Sequence, residues 1–135
     1  MSTTLHPRGV FSAALTPLDA DLNPDTARFV AHCKRLLDEG CDGIAMLGTT
    51  GEANSFSSGE RKALLEAAIV GGVSPDRLLP GTGVAALPET VALTKHALAC
   101  GVTTVVILPP FYYKGITDEG LFASYAYAIE RIGDP

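Results

Sequence analysis

The chain has 135 residues, 47% of them hydrophobic and 19% charged, which is enough apolar material for one ordinary core in one domain. Its formal net charge of −5, with no cluster of Lys and Arg, excludes a protein that tracks a nucleic-acid backbone. Cys33, Cys41 and Cys100 are odd in number and form no CxxC pair or Cys/His ligand spacing, which argues against a zinc site or a secreted disulfide framework.

Four apolar runs, each ending in Gly, Pro or Thr, read as buried parallel strands: GVFSAALTP (9–17), GIAMLGTTG (43–51), RLLPGTG (77–83) and TTVVILPP (103–110). Behind the first run, Asn23 as N-cap and Pro24 at the first helical position open a helix. Its apolar stripe is Phe29, Cys33, Leu36 and Leu37, and Gly40 closes it. Behind the second, Ser57 and Glu60 have the spacing of a capping box, ahead of a helix through Leu64, Leu65 and Ala68 to Gly71. A third helix opens at Pro88 and closes at Gly101. A fourth opens near Thr117, places Leu121, Phe122, Tyr125, Ile129 and Ile132 on one face, and closes at Gly133.

No linker or composition shift divides residues 1–135, so the chain is read as a single unit. The βα alternation implies an α/β fold with a parallel sheet and right-handed crossovers. That leaves an open doubly wound sheet or half of an eight-stranded barrel. A barrel needs about 250 residues, so four βα units are half of one. The first 17 residues carry no apolar segment behind a basic one, and no uncharged run approaches the ~20 residues that span a bilayer. A cytoplasmic location with no membrane partner is the expectation.

In either architecture chemistry gathers at the carboxyl ends of the strands. Those ends hold Gly48-Thr49-Thr50-Gly51-Glu52, Gly81-Thr82-Gly83 and Pro109-Pro110-Phe111-Tyr112-Tyr113-Lys114. Glu52 is their one carboxylate and no histidine is among them, so neither a metal cage nor a histidine-driven triad has material there. Thr49 and Thr50 offer hydroxyls, and the flanking glycines let the backbone turn and present N–H groups to a small anion near a helix start. A tight turn whose hydroxyls satisfy local backbone groups fits the same residues. The stretch matches neither GxxxxGK[ST] nor GxGxxG, which removes the support for a nucleotide site.

Tyr112 and Tyr113 can pass a proton when a neighbouring hydroxyl tunes them, or cover the sheet end as an aromatic pair. Glu52 reads either as a loop ion-pair partner or as a carboxylate that organises the site. Lys34, Lys62 and Lys95 fall on helices, and Lys114 alone lies near a strand end. A Schiff-base lysine needs a desolvated pocket. His6, His32 and His96 are given no catalytic role.

GTTGE followed by ER, PGTGV about thirty residues later, PPFYYK…DEGL after the next strand, and TPLD near the start together resemble the dihydrodipicolinate synthase and N-acetylneuraminate lyase family. The resemblance covers essentially the whole chain. It implies the N-terminal half of a (β/α)8 TIM barrel from a homotetrameric enzyme. Such an enzyme binds pyruvate or another 2-oxo acid as a Schiff base on lysine and makes or breaks a carbon–carbon bond with an aldehyde, without metal or other cofactor.

On this chain the resemblance gives Thr49 and Thr50 the carboxylate of the 2-oxo acid. It gives Thr49 a second role as the hydroxyl between two tyrosines of a proton relay. Tyr112 becomes the tyrosine that reaches a neighbouring subunit's site, or Tyr113 if the alignment gap moves. The family's fifth-strand tyrosine and sixth-strand lysine would lie beyond Pro135. The loop YYKGITDEG is about one residue longer than the common synthase form, with Gly115 where proline is frequent; the family leaves 4-hydroxy-tetrahydrodipicolinate synthase and sugar-acid or hydroxy-oxo-acid aldolase as alternatives, and FYYKG inclines the reading towards the aldolase. The alternative is a non-catalytic half-barrel that binds small acids or pairs with itself.

Overall fold

A computed structural model describes residues 7–133. His6 lies outside them. The first strand, β1 (Phe11–Ala13), pairs in parallel with β2 (Gly43–Ala45), Ser12 opposite Ile44. The third and fourth runs continue the same sheet in chain order, as shorter pairings than the sequence suggests. Leu79 N–H donates to the Ile44 carbonyl and Gly81 N–H to that of Met46, both at 2.8 Å. Thr82 N–H donates to the Val106 carbonyl, and Val106 N–H to that of Pro80, both at 2.9 Å.

The shortness of these strands has a local cause. Alternate residues of a parallel strand donate to the same neighbour, and Thr82 donates to the fourth segment. The position two residues back is Pro80, which has no N–H to give. On the other side Val84 N–H is taken by the Thr90 hydroxyl at 3.0 Å, so the ladder also stops there. Only the isolated parallel bridges Ile44 to Leu78 and Gly81 to Val106 remain of the predicted third and fourth strands.

Four helices connect the segments: α1 (Thr26–Asp38), α2 (Ser58–Val70), α3 (Leu87–Ala99) and α4 (Asp118–Ile132). They pack in chain order, α1 on α2, α2 on α3 and α3 on α4, as crossover helices of one hand must when their strands lie in sequence. Two expectations at helix ends hold closely. Ser57 accepts from Glu60 N–H while Glu60 takes Ser57 N–H at 2.8 Å, closing the capping box. Thr117 caps α4 through Gly120 N–H at 3.1 Å.

Two others need correction. Asn23 and Pro24 do not start α1. Asp25 does, accepting from Arg28 N–H at 3.0 Å, because Asn23 is held in the preceding turn by Asp19, whose carboxylate takes the Asp21 and Asn23 N–H groups, each at 2.9 Å. These bonds, that to Asn23 first, hold the Asp19 carboxyl below its ordinary range. On α4, Phe122 and Ile129 are 76% and 64% exposed, while Ala128 is buried and Leu121, Ser124 and Tyr125 are half-buried. The inward stripe is therefore 121, 124, 125, 128 and 132.

The core lies between sheet and helices. Phe29 and Cys33 of α1, Ile44 and Met46 of the second strand run, Leu64 and Ala68 of α2, and Leu78 are essentially inaccessible to solvent. Burial pushes the Cys33 thiol up to about 11, so it behaves as a small apolar side chain. Arg61 is buried among these residues, its Nη2 donating to the Gly81 carbonyl at 2.7 Å.

Candidate active site

The GTTGE stretch leaves the second strand run through two residues in left-handed backbone, Leu47 at φ 56 and Glu52 at φ 54. Between them the chain folds into a turn in which Glu52 N–H reaches the Thr49 carbonyl at 3.1 Å and Ala53 N–H that of Gly48 at 3.3 Å. The turn is pressed against its neighbours. A Cβ on Gly51 would stand 3.0 Å from the Ala14 carbonyl oxygen, and one on Gly81 would overlap that of Leu47. Thr16 locks the arrangement by donating to the Gly51 carbonyl at 2.8 Å. The glycines here serve close approach of three strand ends.

This packing holds Thr49 and Thr50 at the edge of a cavity of about 120 Å³ lined also by Ala13, Ala45, Gly48, Gly81 and Val106. A second hollow of about 50 Å³ adjoins it, with Gly48, Thr49, Asn54, Gly83 and Leu108 in its wall. Among the described residues, no acceptor takes the hydroxyl or the N–H of Thr49 or Thr50. Both threonines are exposed. The hydroxyls are therefore not consumed by the turn, and their donors face an open, mostly apolar cleft that contains no lysine.

The start of α2 is not part of the cradle. Its first turn is closed by Ser57 and Glu60, whose carboxyl is held below its ordinary range by the Ser57 hydroxyl and N–H. Anion binding here has to rest on the turn itself. The exposed Glu52 carboxylate makes no hydrogen bond or ion pair among the described residues.

Tyr112 and Tyr113 occupy the loop after the fourth strand segment, 73% and 61% exposed, with rings edge to face at a centroid distance of 5.4 Å. Tyr113 also lines an apolar cavity of about 230 Å³ between that loop, α3 and α4, together with Val84, Ile107 and Tyr125. Neither tyrosine is among the residues that line the threonine cleft. Lys114 is exposed and donates to the Phe111 carbonyl at 3.0 Å, a loop-closing role. Lys34, Lys62 and Lys95 lie on α1, α2 and α3.

Sequence reasoning missed the polar struts behind the cleft. Thr94 on α3 shares a 2.8 Å hydrogen bond with the Thr82 hydroxyl and donates to the Thr90 carbonyl at 2.8 Å. Thr90 donates to the Val84 carbonyl at 3.2 Å while accepting Val84 N–H. With Arg61 on Gly81, these buried groups fix the end of the third strand segment from two helices. The signal was present as Thr90 and Thr94 one turn apart on the same helix face as Leu93 and Ala97.

Comparison with known proteins bears on the fold and the family. An uncharacterized DapA-like lyase of Chloroflexus aurantiacus is 39% identical over 121 residues, which cover 89% of this chain and 40% of that protein. The crystal structure of dihydrodipicolinate synthase from Agrobacterium tumefaciens superposes with a TM-score of 0.89 at 35% identity, over 93% of this chain and 44% of that one. A prophage protein of the dihydrodipicolinic acid synthase family from E. coli, solved with pyruvate, gives 0.81 at 28% identity, over 91% and 41%. The 2-keto-3-deoxygluconate aldolase of Picrophilus torridus gives 0.86 at 26%, over 93% and 45%. The chain thus spans less than half the length of these proteins, along their α/β fold. The Dihydrodipicolinate synthetase family model matches residues 6–134, and the chain belongs to that family.

Proposed function

We propose that this chain carries the carboxylate-binding part of the active site of a Schiff-base carbon–carbon lyase acting on pyruvate or a related 2-oxo acid and an aldehyde. The observation that carries the reading is the pair of uncommitted donors on Thr49 and Thr50, at the strand ends of a fold whose relatives include synthases, lyases and an aldolase. A carboxylate entering the cleft meets two hydroxyls and two backbone N–H groups, bonds that a charged acceptor makes short and strong. The wall of Ala13, Ala45 and Val106 beside it is apolar and offers no competing side-chain donor.

Thr49 has a second task in this reading. Once its hydroxyl holds the carboxylate it also stands where a proton can pass towards Tyr112, or Tyr113, as the imine forms and the enamine attacks or departs. The tyrosine comes into reach either by loop movement or from a second copy, which fits its exposure. The nucleophilic lysine comes from outside residues 1–135: Lys114 is exposed and hydrogen-bonded to its own loop, and no lysine lines the cleft. The enzyme is a homo-oligomer that needs no cofactor, acting in the cytoplasm, and the FYYKG loop favours sugar-acid or hydroxy-oxo-acid cleavage over the alternative, 4-hydroxy-tetrahydrodipicolinate synthesis.

Borohydride reduction of the protein in the presence of pyruvate, followed by peptide mapping, tests this. The expected adduct lies on a lysine outside residues 1–135, and the separate 135-residue chain stays unlabelled. An adduct on Lys114 or any other lysine of this chain contradicts the division of roles.

A further inference from the structure

Away from the cleft, three side chains of different chemistry converge on the outer helix layer. His96 on α3 and Cys100 at its C-terminal cap are one turn apart, so they share a face. Glu66 on α2 faces them across the helix contact. His96 Nε2 stands 3.2 Å from Glu66 Oε1 and 3.6 Å from Cys100 Sγ, and the three donor atoms all lie within 4.8 Å of one another.

We propose that Glu66, His96 and Cys100 form a binding site for a divalent transition-metal cation of the zinc class, with solvent in the fourth position. Tetrahedral zinc with N, O and S ligands at about 2.0–2.3 Å requires ligand-to-ligand edges of about 3.3–3.6 Å. Two of the three edges already fall there or within 0.1 Å of it. The third closes by rotation of the Glu66 side chain, which is 55% exposed and free to move.

A hydrogen-bonded cluster is a poorer description of the same atoms. A single ring nitrogen faces both partners, and whether or not it carries a proton it can satisfy only one of them well. A cation satisfies all three at once. On binding, the S–H bond breaks, its proton goes to solvent, and sulfur bonds the metal.

Access is open. The His96 side chain is 23% exposed and Glu66 forms the solvent side. Among the described residues Glu66 has no lysine or arginine within ion-pair distance. Lys62, one turn before Glu66 on α2, lines a small hollow with His96 and is the nearby cation that opposes a metal. None of the three ligands lines the threonine cleft, so the site is separable from the proposed chemistry. Its occupancy bears on the α2–α3 contact.

The test uses metal-stripped protein titrated with cobalt(II) as a spectroscopic stand-in for zinc. The expected result is saturation at one cobalt per chain, with a thiolate-to-cobalt charge-transfer band in the near ultraviolet and a tetrahedral pattern in the visible. His96→Ala and Cys100→Ser should each weaken binding by more than the roughly 10–100-fold that outer-shell partners contribute, whereas Cys41→Ser should leave it unchanged. X-ray absorption of the zinc form reads the same claim without any substitution, expecting one sulfur scatterer at about 2.3 Å. Bound metal with no sulfur scatterer, a charge-transfer band surviving in Cys100→Ser, or failure of the unmodified protein to bind cobalt or zinc overturns the site.

Discussion

Thr49 and Thr50 differ in role although they are neighbours with equally free donors. Under the proposed function both hold the carboxylate, but only Thr49 also passes a proton. Removing a hydrogen bond to a charged group costs about 1.5–3 kcal/mol, roughly 10–100-fold in an equilibrium. Thr50→Val should raise KM for the 2-oxo acid by about that factor with kcat nearly kept, since it removes binding shared by ground and transition states. Thr49→Val should raise KM similarly and lower kcat as well. Steady-state kinetics separates the two, and equal behaviour of both variants contradicts a relay role for Thr49. Glu52, by contrast, has left-handed backbone at φ 54. That position tolerates Asn, Asp and Gly better than a β-branched residue.

At the scale of elements, the cleft depends on how closely the third strand segment approaches the GTTGE turn. Gly81 permits this because a methyl group there overlaps the Leu47 carbonyl. Gly81→Ala should destabilise the protein by about 1–3 kcal/mol, the usual cost of overpacking, and shift the amide resonances of Leu47 to Thr50. Denaturant unfolding and an NMR spectrum check both, and a variant of unchanged stability and spectrum contradicts the packing. Arg61 braces the same strand from α2, its charge counterbalanced by Glu89 while burial pushes its pKa down.

The sequence made some of these elements legible and hid others for identifiable reasons. The capping signals at Ser57, Glu60 and Thr117 are local, and they read correctly. Asn23 misled because Asp19, four residues earlier in the loop, captured it first, a competition invisible to a cap rule applied one position at a time. Pro80 announced a weakened third strand, yet an apolar run scores as a strand whether or not its N–H groups have partners. Phe122 and Ile129 fit a helical period on the wrong side of α4, since periodicity identifies a stripe without saying which neighbour it meets. The cluster of Glu66, His96 and Cys100 escaped a search for close ligand spacing because one member comes from another helix, thirty residues away. Residue types alone could not say whether the turn consumes the Thr49 and Thr50 hydroxyls, and the structure leaves both without a partner among the described residues.

For the whole molecule, the sheet order and the helices packed in sequence reproduce less than half of the length of the related barrels. No helix among the described residues is long and apolar enough to cross a membrane. Val106 and Leu108 on the last strand segment and Phe122 and Ile129 on α4 are exposed apolar side chains. Function in this architecture gathers at one end of the sheet, and here that end presents the threonine cleft, the strand-three glycines and the loop tyrosines. The proposed metal cluster sits instead on the outer helices.

The most direct measurement is a crystal structure of the protein with pyruvate bound. The carboxylate oxygens are predicted to lie at about 2.7–3.1 Å, ordinary hydrogen-bond distance, from the hydroxyls and N–H groups of Thr49 and Thr50, with the carbonyl carbon directed out of this chain towards a lysine elsewhere. A carboxylate held by other residues, with both threonine hydroxyls left facing solvent, would contradict the central claim.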